Sequence, residues 1–120
     1  MKKLTIIAAL LLPLLIIAGE KYPISGSSVE NHCYFAEEKV TANDDACITI
    51  TPVLEQKEET DVIIIVKIME GERQVALLPV TIPAGTTKGN VQACASMGGV
   101  MSQLHAGQQY TLSVLRTRLK

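Results

Sequence analysis

An unbroken run of branched aliphatic residues constrains this chain more than any other feature. Residues 62–66 read Val-Ile-Ile-Ile-Val, and Lys67, Ile68 and Met69 follow them. Branched side chains are stiff about χ1 and pack well on a pleated surface, so the run predicts a β-strand. Because apolar residues lie on both faces of this strand, both faces are expected to be at least partly covered. We therefore predict that it is the central strand of a small β-domain.

The two faces of this strand have different expected neighbours. One face is unbroken and suits the core: Val62, Ile64, Val66 and Ile68. The other is interrupted by Lys67 and consists of Ile63, Ile65 and Met69. A free-standing sandwich has polar residues on its outer faces, so this second face needs a cover. Contiguous exposed apolar patches mark interaction sites, so the cover is either the chain's own segment 21–29 or a protein, which includes a second copy of this chain.

Short strands separated by turn residues account for most of the remaining chain. Alternation with a period of two predicts strands over residues 47–54, 86–96 and 110–114. Two further strands are predicted over residues 33–40 and 73–82. Pro79 suggests an edge position or a bulge for its strand. The spacing predicts an all-β fold, an immunoglobulin-like antiparallel β-sandwich of about six to seven strands.

The period changes at one place near the C-terminus. Met97, Val100, Met101 and Leu104 lie at i, i+3, i+4 and i+7, which is the stripe of an amphipathic helix. The two glycines at 98 and 99 limit it to one or two turns near residues 97–105. We expect this stretch to cover one end of the sandwich.

The N-terminus has the layout of a secretory signal peptide. Lys2 and Lys3 precede an apolar stretch over residues 4–18, which spans about 22 Å as a helix against a hydrocarbon core of about 30 Å. We predict a signal peptide at 1–19 with cleavage near 18–20, an exposed lead-in at 20–32 and a β-sandwich domain at 33–120. The product is expected to be exported to the periplasm, the cell surface or the medium, with no transmembrane span after cleavage. The alternative is an uncleaved N-terminal anchor.

Charge and aromatic content argue against nucleic acid as a partner. Without Lys2 and Lys3, the 11 basic residues become 9, against 12 acidic ones, and basic residues cluster only in the tail at Arg116, Arg118 and Lys120. With no Trp, one Phe and three Tyr, stacking platforms for bases are scarce.

Three cysteines in an exported chain predict one disulfide and one remaining thiol. An immunoglobulin-like topology would place the strand beginning at Cys47 antiparallel to the strand ending near Cys94, which predicts a Cys47–Cys94 bond. The rival pairing joins Cys33 to Cys47 across the turn at 41–45. Cys33 is otherwise free or pairs between chains. No Cys-x-x-Cys or His-x-x-x-His spacing supports a metal site, and we predict no cofactor.

Residues 80–85, with the sequence VTIPAG, lie between the strands at 47–68 and 110–115. In this order the chain resembles Calx-beta and related bacterial immunoglobulin-like domains over most of residues 33–117. The resemblance implies a β-sandwich. Such domains often hold calcium with acids at a first turn, where Asp44 and Asp45 lie here, and in a late cluster. Residues 96–109 contain no acid, so calcium binding is not carried over.

No catalytic constellation is found in the sequence. His32 is adjacent to Cys33, but neighbours on a strand point to opposite faces, and His32 is expected to be a solvated edge residue. We therefore expect a non-catalytic binding or structural module at the cell envelope. The alternative is a small thiol-dependent exported enzyme or redox protein that uses Cys33 or Cys94.

Overall fold

Antiparallel strands make up the regular structure of residues 19–120, which are the residues that the computed structural model describes. The nine strands in this part of the chain are β1 Tyr22–Pro23, β2 His32–Phe35, β3 Lys39–Thr41, β4 Cys47–Ile50, β5 Pro52–Leu54, β6 Val62–Glu70, β7 Arg73–Ile82, β8 Val91–Cys94 and β9 Gln109–Leu119. The predicted all-β, sandwich-like fold is confirmed. The predicted signal peptide, apart from its last residue, Gly19, lies outside the described residues.

The apolar run forms β6, an inner strand of a four-stranded sheet with the order β3-β9-β6-β7. It pairs with β7 along one side and with β9 along the other. The central position predicted for the run is therefore confirmed. Pro79 lies in β7, which is the edge strand of this sheet, and an edge strand tolerates the missing N–H of proline.

The second layer is built from two smaller groups of strands, β1-β2-β5 and β4-β8. Backbone bonds from Gly89 N–H to Pro52 O, 2.9 Å, and from Leu54 N–H to Thr87 O, 2.7 Å, link β5 to the segment that precedes β8. The core lies between the two layers and takes side chains from both. Its largest fully buried members include Ile48, Ile50, Ile64, Ile68, Ile82, Tyr110 and Leu112.

Two strands predicted as single segments are divided in the structure. Residues 33–40 form β2 and β3, which belong to different sheets, because the chain turns from one layer to the other at residues 36–38. Residues 47–54 are interrupted at Thr51, whose carbonyl accepts the Ala36 N–H at 2.9 Å. The strand predicted at 86–96 is shorter in the structure, Val91–Cys94.

The helical stretch near 97–105 consists of two short 3-10 helices, Ala95–Met97 and Gly99–Gln103. Met101 and Leu104 are buried, as the stripe predicts, but Met97 and Val100 are more than half exposed. That half of the prediction is wrong because a 3-10 helix has three residues per turn, so a stripe with a period of 3.6 does not stay on one face. Gly98 and Gly99, both with positive φ, also separate the two turns.

Candidate functional site

The candidate site is the outer face of β6, defined by Ile63, Ile65, Lys67 and Met69. Their neighbours Val62, Ile64, Val66 and Ile68 are buried to 0% exposure, whereas the four outer residues are only half-buried. The strand therefore places one aliphatic set in the core and leaves the second at the surface of the sheet, as its period of two predicts.

Two arginines flank the isoleucines on the neighbouring strand. In β9, Arg118 lies opposite Ile63 and Arg116 lies opposite Ile65, and both arginines are exposed. Directly opposed residues on one sheet face have Cβ atoms about 5 Å apart, so the aliphatic part of each arginine side chain lies beside an isoleucine. Together these four side chains line a depression of about 370 Å³.

A β-bulge in β9 decides which face these arginines occupy. Val66 pairs with Val114, but the next residue of β6, Ile65, pairs with Arg116, so Leu115 is an extra residue in β9. Without it, Arg116 would continue the inward series of Tyr110 and Leu112 and would point into the core. Because a one-residue shift exchanges the faces of all following residues, the bulge turns both arginines outward. Leu115 itself is 50% exposed.

The sequence interpretation missed Arg116 and Arg118, which it assigned to a charged tail. In the structure β9 continues to Leu119, and Thr117 and Leu119 occupy inward positions between and after the two arginines. The signal was the alternation of charged and uncharged residues over positions 116–119. That alternation is out of phase with residues 110–114, which is itself the signature of an inserted residue.

The lead-in packs on the opposite side of this sheet from the isoleucines. Its β1 pairs with β2 in the second layer, and Ile24 is buried in the core. The Thr117 hydroxyl, on the inward side of β9, accepts the Ser25 N–H at 3.0 Å and donates to Pro23 O at 3.0 Å. The alternative in which residues 21–29 cover Ile63 and Ile65 is therefore wrong.

A buried carboxylate fixes the lead-in in place. Glu58 Oε2 accepts bonds from the Ser27 hydroxyl and from Asn31 Nδ2, both at 2.7 Å. Asn31 Oδ1 in turn accepts the His32 and Gln56 N–H groups at 2.9 and 3.0 Å. Glu58 is therefore not a solvated loop charge, because it accepts hydrogen bonds from donors that the lead-in would otherwise bury unpaired. The lead-in, predicted to be exposed, is in fact partly buried.

A second contact to the lead-in is ionic and lies at the surface. Glu55 Oε2 accepts a hydrogen bond from Lys21 Nζ at 2.7 Å, and Glu55 Oε1 lies 3.0 Å from His32 Nδ1. The hydrogen bond from Lys21 holds the pKa of Glu55 below its usual value, and the same bond raises the pKa of Lys21. His32 lies in β2, between β1 and β5, and not at an edge. The expectation that it is an edge residue is wrong.

The three cysteines form one disulfide and one buried thiol. Cys47 and Cys94 are directly opposed at the ends of β4 and β8 and form the disulfide that the sequence predicts. Cys33 is a free thiol and is 1% exposed. Burial raises the pKa of Cys33 to about 11, so at neutral pH it is almost entirely protonated.

Cys33 is expected to resist alkylation by iodoacetamide in the native protein at about pH 8, because burial suppresses both access and thiolate formation. Mass spectrometry should show no added group in the native protein and one in concentrated guanidinium chloride. Rapid labelling of native protein would contradict the assignment of Cys33 as a core residue.

The same thiol makes the stability of the fold depend on pH. Folding raises the pKa of Cys33 from 9.0 to about 11, so the contribution of the protonated thiol to the free energy of unfolding is complete below pH 9.0. That contribution is lost as pH rises towards 11, because the unfolded chain releases a proton that the folded chain retains.

Metal-binding clusters and membrane-spanning helices are both absent from residues 19–120. No group of three or more His, Cys, Asp and Glu side chains in this part of the chain is arranged to hold a metal ion. None of its helices combines the length and apolar character needed to cross a membrane. The outer face of β6 is the candidate that the structure supports best, because its isoleucines stay half-buried at the surface beside two exposed arginines.

Comparison with known proteins identifies no relative. The chain matches no protein-family model, and neither a curated protein nor a solved structure is significantly similar to it.

Proposed function

We propose that this chain is an exported, non-catalytic β-sandwich module that binds a protein through the outer face of β6. The observation that carries the proposal is that Ile63 and Ile65 stay half-buried at the surface while the lead-in packs on the other side of the sheet. Solvent-exposed sheet faces are normally polar, and a contiguous exposed apolar patch marks an interaction site.

The surface around the isoleucines extends the apolar area. Leu77 in β7 is 40% exposed and lies opposite Lys67, and Leu115 at the bulge is 50% exposed. The outer side of the opposite layer pairs Thr49 with Gln92, both exposed, and Tyr34 with Val53, both half-buried. That apolar pair is smaller than the row of Ile63, Ile65 and Met69 along β6, which supports assigning the binding surface to the four-stranded sheet.

Export and the absence of catalysis are parts of the same proposal. Disulfides persist in oxidising compartments, so the Cys47–Cys94 bond supports export to the cell envelope. The thiol-dependent alternative requires an accessible thiolate, whereas Cys94 is bonded and Cys33 is buried. The resemblance to Calx-beta domains stays a prediction, and a binding module agrees with it.

A photo-crosslinking amino acid at position 65 is expected to capture a discrete envelope protein in the native host. The matched control is the same group at position 49, which is exposed on the other layer and should capture nothing above background. Crosslinked products would be identified by mass spectrometry. A dimer of this chain as the only product would contradict a partner protein, and equal capture from both positions would contradict the assignment of the face.

The pair Ile63→Glu and Ile65→Thr tests whether the face is core instead. The proposal expects the doubly substituted protein to remain folded by circular dichroism and to lose the crosslinked product from position 69. If the wild-type domain is monomeric and the substituted one simply unfolds, the face is core and the proposal fails.

A further inference from the structure

The outer face of the four-stranded sheet carries positive charge that the described residues do not neutralise. Lys67, Arg116 and Arg118 lie on it, and Lys39 joins the row formed by Thr111 and Met69. Neither arginine forms an ion pair or a side-chain hydrogen bond within residues 19–120, where the salt bridges involve Lys21, His32 and Arg73 instead. These cations are therefore available to a partner.

The acids at the two ends of β6 already have partners. Asp61 Oδ1 accepts the Ala84 N–H at 2.8 Å, and Glu70 Oε1 pairs with Arg73 at 2.7 Å. The cations and the isoleucines also alternate in space, since each arginine lies opposite an isoleucine. A partner surface that complements this face therefore carries carboxylates next to aliphatic side chains.

We infer that the outer face recognises an acidic, aliphatic segment of its protein partner, whose carboxylates pair with Arg116 and Arg118 while its aliphatic side chains cover Ile63 and Ile65. This inference rests on the proposed function and names the chemistry of the partner. Guanidinium groups bind carboxylates in a bidentate geometry, and such pairs are stronger than neutral hydrogen bonds. The depression of about 370 Å³ between the arginines and the isoleucines has room for such a side chain.

Other occupants fit this face less well. A second copy packed face to face would bring like charges together, which is unfavourable. Peripheral membrane surfaces use aromatic residues as interfacial anchors, but this chain has no Trp, and its one Phe, Phe35, is buried. Its three Tyr are not on this face, since Tyr22 and Tyr34 belong to the second layer and Tyr110 is buried. Ile63 and Ile65 line a depression and do not project as a membrane-inserting group would.

Fluorescence anisotropy with three labelled peptides tests the inference on the full purified chain. The probe is a short peptide of alternating pairs of Glu and Leu, and its matched forms replace every Glu by Gln or by Lys. At low salt the wild-type protein should bind the Glu form at least about tenfold more tightly than the Gln form. The variant Arg116→Glu with Arg118→Glu should lose that preference and favour the Lys form.

The control variant has the same net charge but substitutions elsewhere. Lys57→Glu with Lys88→Glu changes a loop residue and a residue beside the second layer, so its preference for the Glu peptide should stay within about twofold of wild type. Circular dichroism of both variants establishes that each is folded.

Three results would overturn the inference. The first is equal binding of the Glu and Gln peptides, and the second is unchanged selectivity in Arg116→Glu with Arg118→Glu. The third is binding of vesicles made of equal parts phosphatidylglycerol and phosphatidylethanolamine without peptide selectivity, which would assign the arginines to a lipid surface. These results leave the proposed function intact if the photo-crosslinking group at position 65 still captures a partner protein. If that group captures no protein, the proposed function itself is contradicted.

Discussion

Replacing Ile64 by alanine is expected to lower the free energy of unfolding by about 4 kcal/mol, and the same change at the adjacent Ile63 by only about 1 kcal/mol. Ile64 is 0% exposed and lies opposite Val80 on one side and Thr117 on the other. Its truncation leaves a cavity in the core, whereas Ile63 loses only partial contacts and some β-propensity. The two positions share one backbone segment, so each serves as the control for the other.

Chemical denaturation followed by circular dichroism measures both losses under identical conditions. An unchanged dependence of the free energy on denaturant concentration would show that the substitutions act on stability alone. Losses of equal size would contradict the distinction between the two faces of β6. In that event Ile63 would be a core residue, and the surface proposed for partner binding would not exist.

The sequence predicts the distinction between these faces, because alternate residues of a strand lie on opposite faces and the unbroken aliphatic set suits the core. Val62, Ile64, Val66 and Ile68 were predicted to be the core set and are all at 0% exposure. The edge position of β7 also followed from one residue, Pro79, since proline removes a donor that an inner strand needs. Local chemistry was sufficient for both features.

The arginine side of the surface could not be read in the same way. Extending the alternation of Tyr110 and Leu112 through the strand places Arg116 inward, and only the bulge at Leu115 reverses that result. Within β9 itself the bulge is visible only as a change of phase between residues 110–114 and 116–119, and extending one period through the whole strand overlooks that change. The sequence therefore predicts a charged tail at Arg116 and Arg118, which in the structure complete the candidate site.

Contacts distant in sequence explain the other differences. Glu58 is buried because Ser27 and Asn31, about 30 residues earlier, supply its donors. Nothing in the loop at 55–61 distinguishes this acid from Glu59, which is exposed. The lead-in was likewise interpreted as exposed because Pro23 and Gly26 suggest a linker, whereas Ile24 reaches the core. In each case the tertiary partner, and not the local pattern, decides the outcome.

Removal of the disulfide by Cys47→Ala with Cys94→Ala is expected to cost about 4 kcal/mol of stability. The bond joins residues separated by 47 positions, and the closed loop contains every strand from β4 to β8, including the central β6. Opening a loop of this length restores conformational freedom to the unfolded chain, and the chain-entropy relation gives about 4 kcal/mol at 25 °C. Since small domains have about 5 to 15 kcal/mol in total, this loss should bring the fold close to its limit.

The double substitution is required because either cysteine left alone could pair with Cys33 once the chain unfolds. Denaturation with and without dithiothreitol provides the measurement: the reductant should lower the midpoint of the wild-type protein towards that of the double variant and leave the double variant unchanged. Cys33→Ala is the control for losing a thiol without losing a bond, and it should retain sensitivity to the reductant. A loss below about 1 kcal/mol in the double variant would contradict the expectation. Because β4 and β8 pair through four residue positions, that result would mean that their hydrogen bonds and packing stabilise this strand pair without the disulfide.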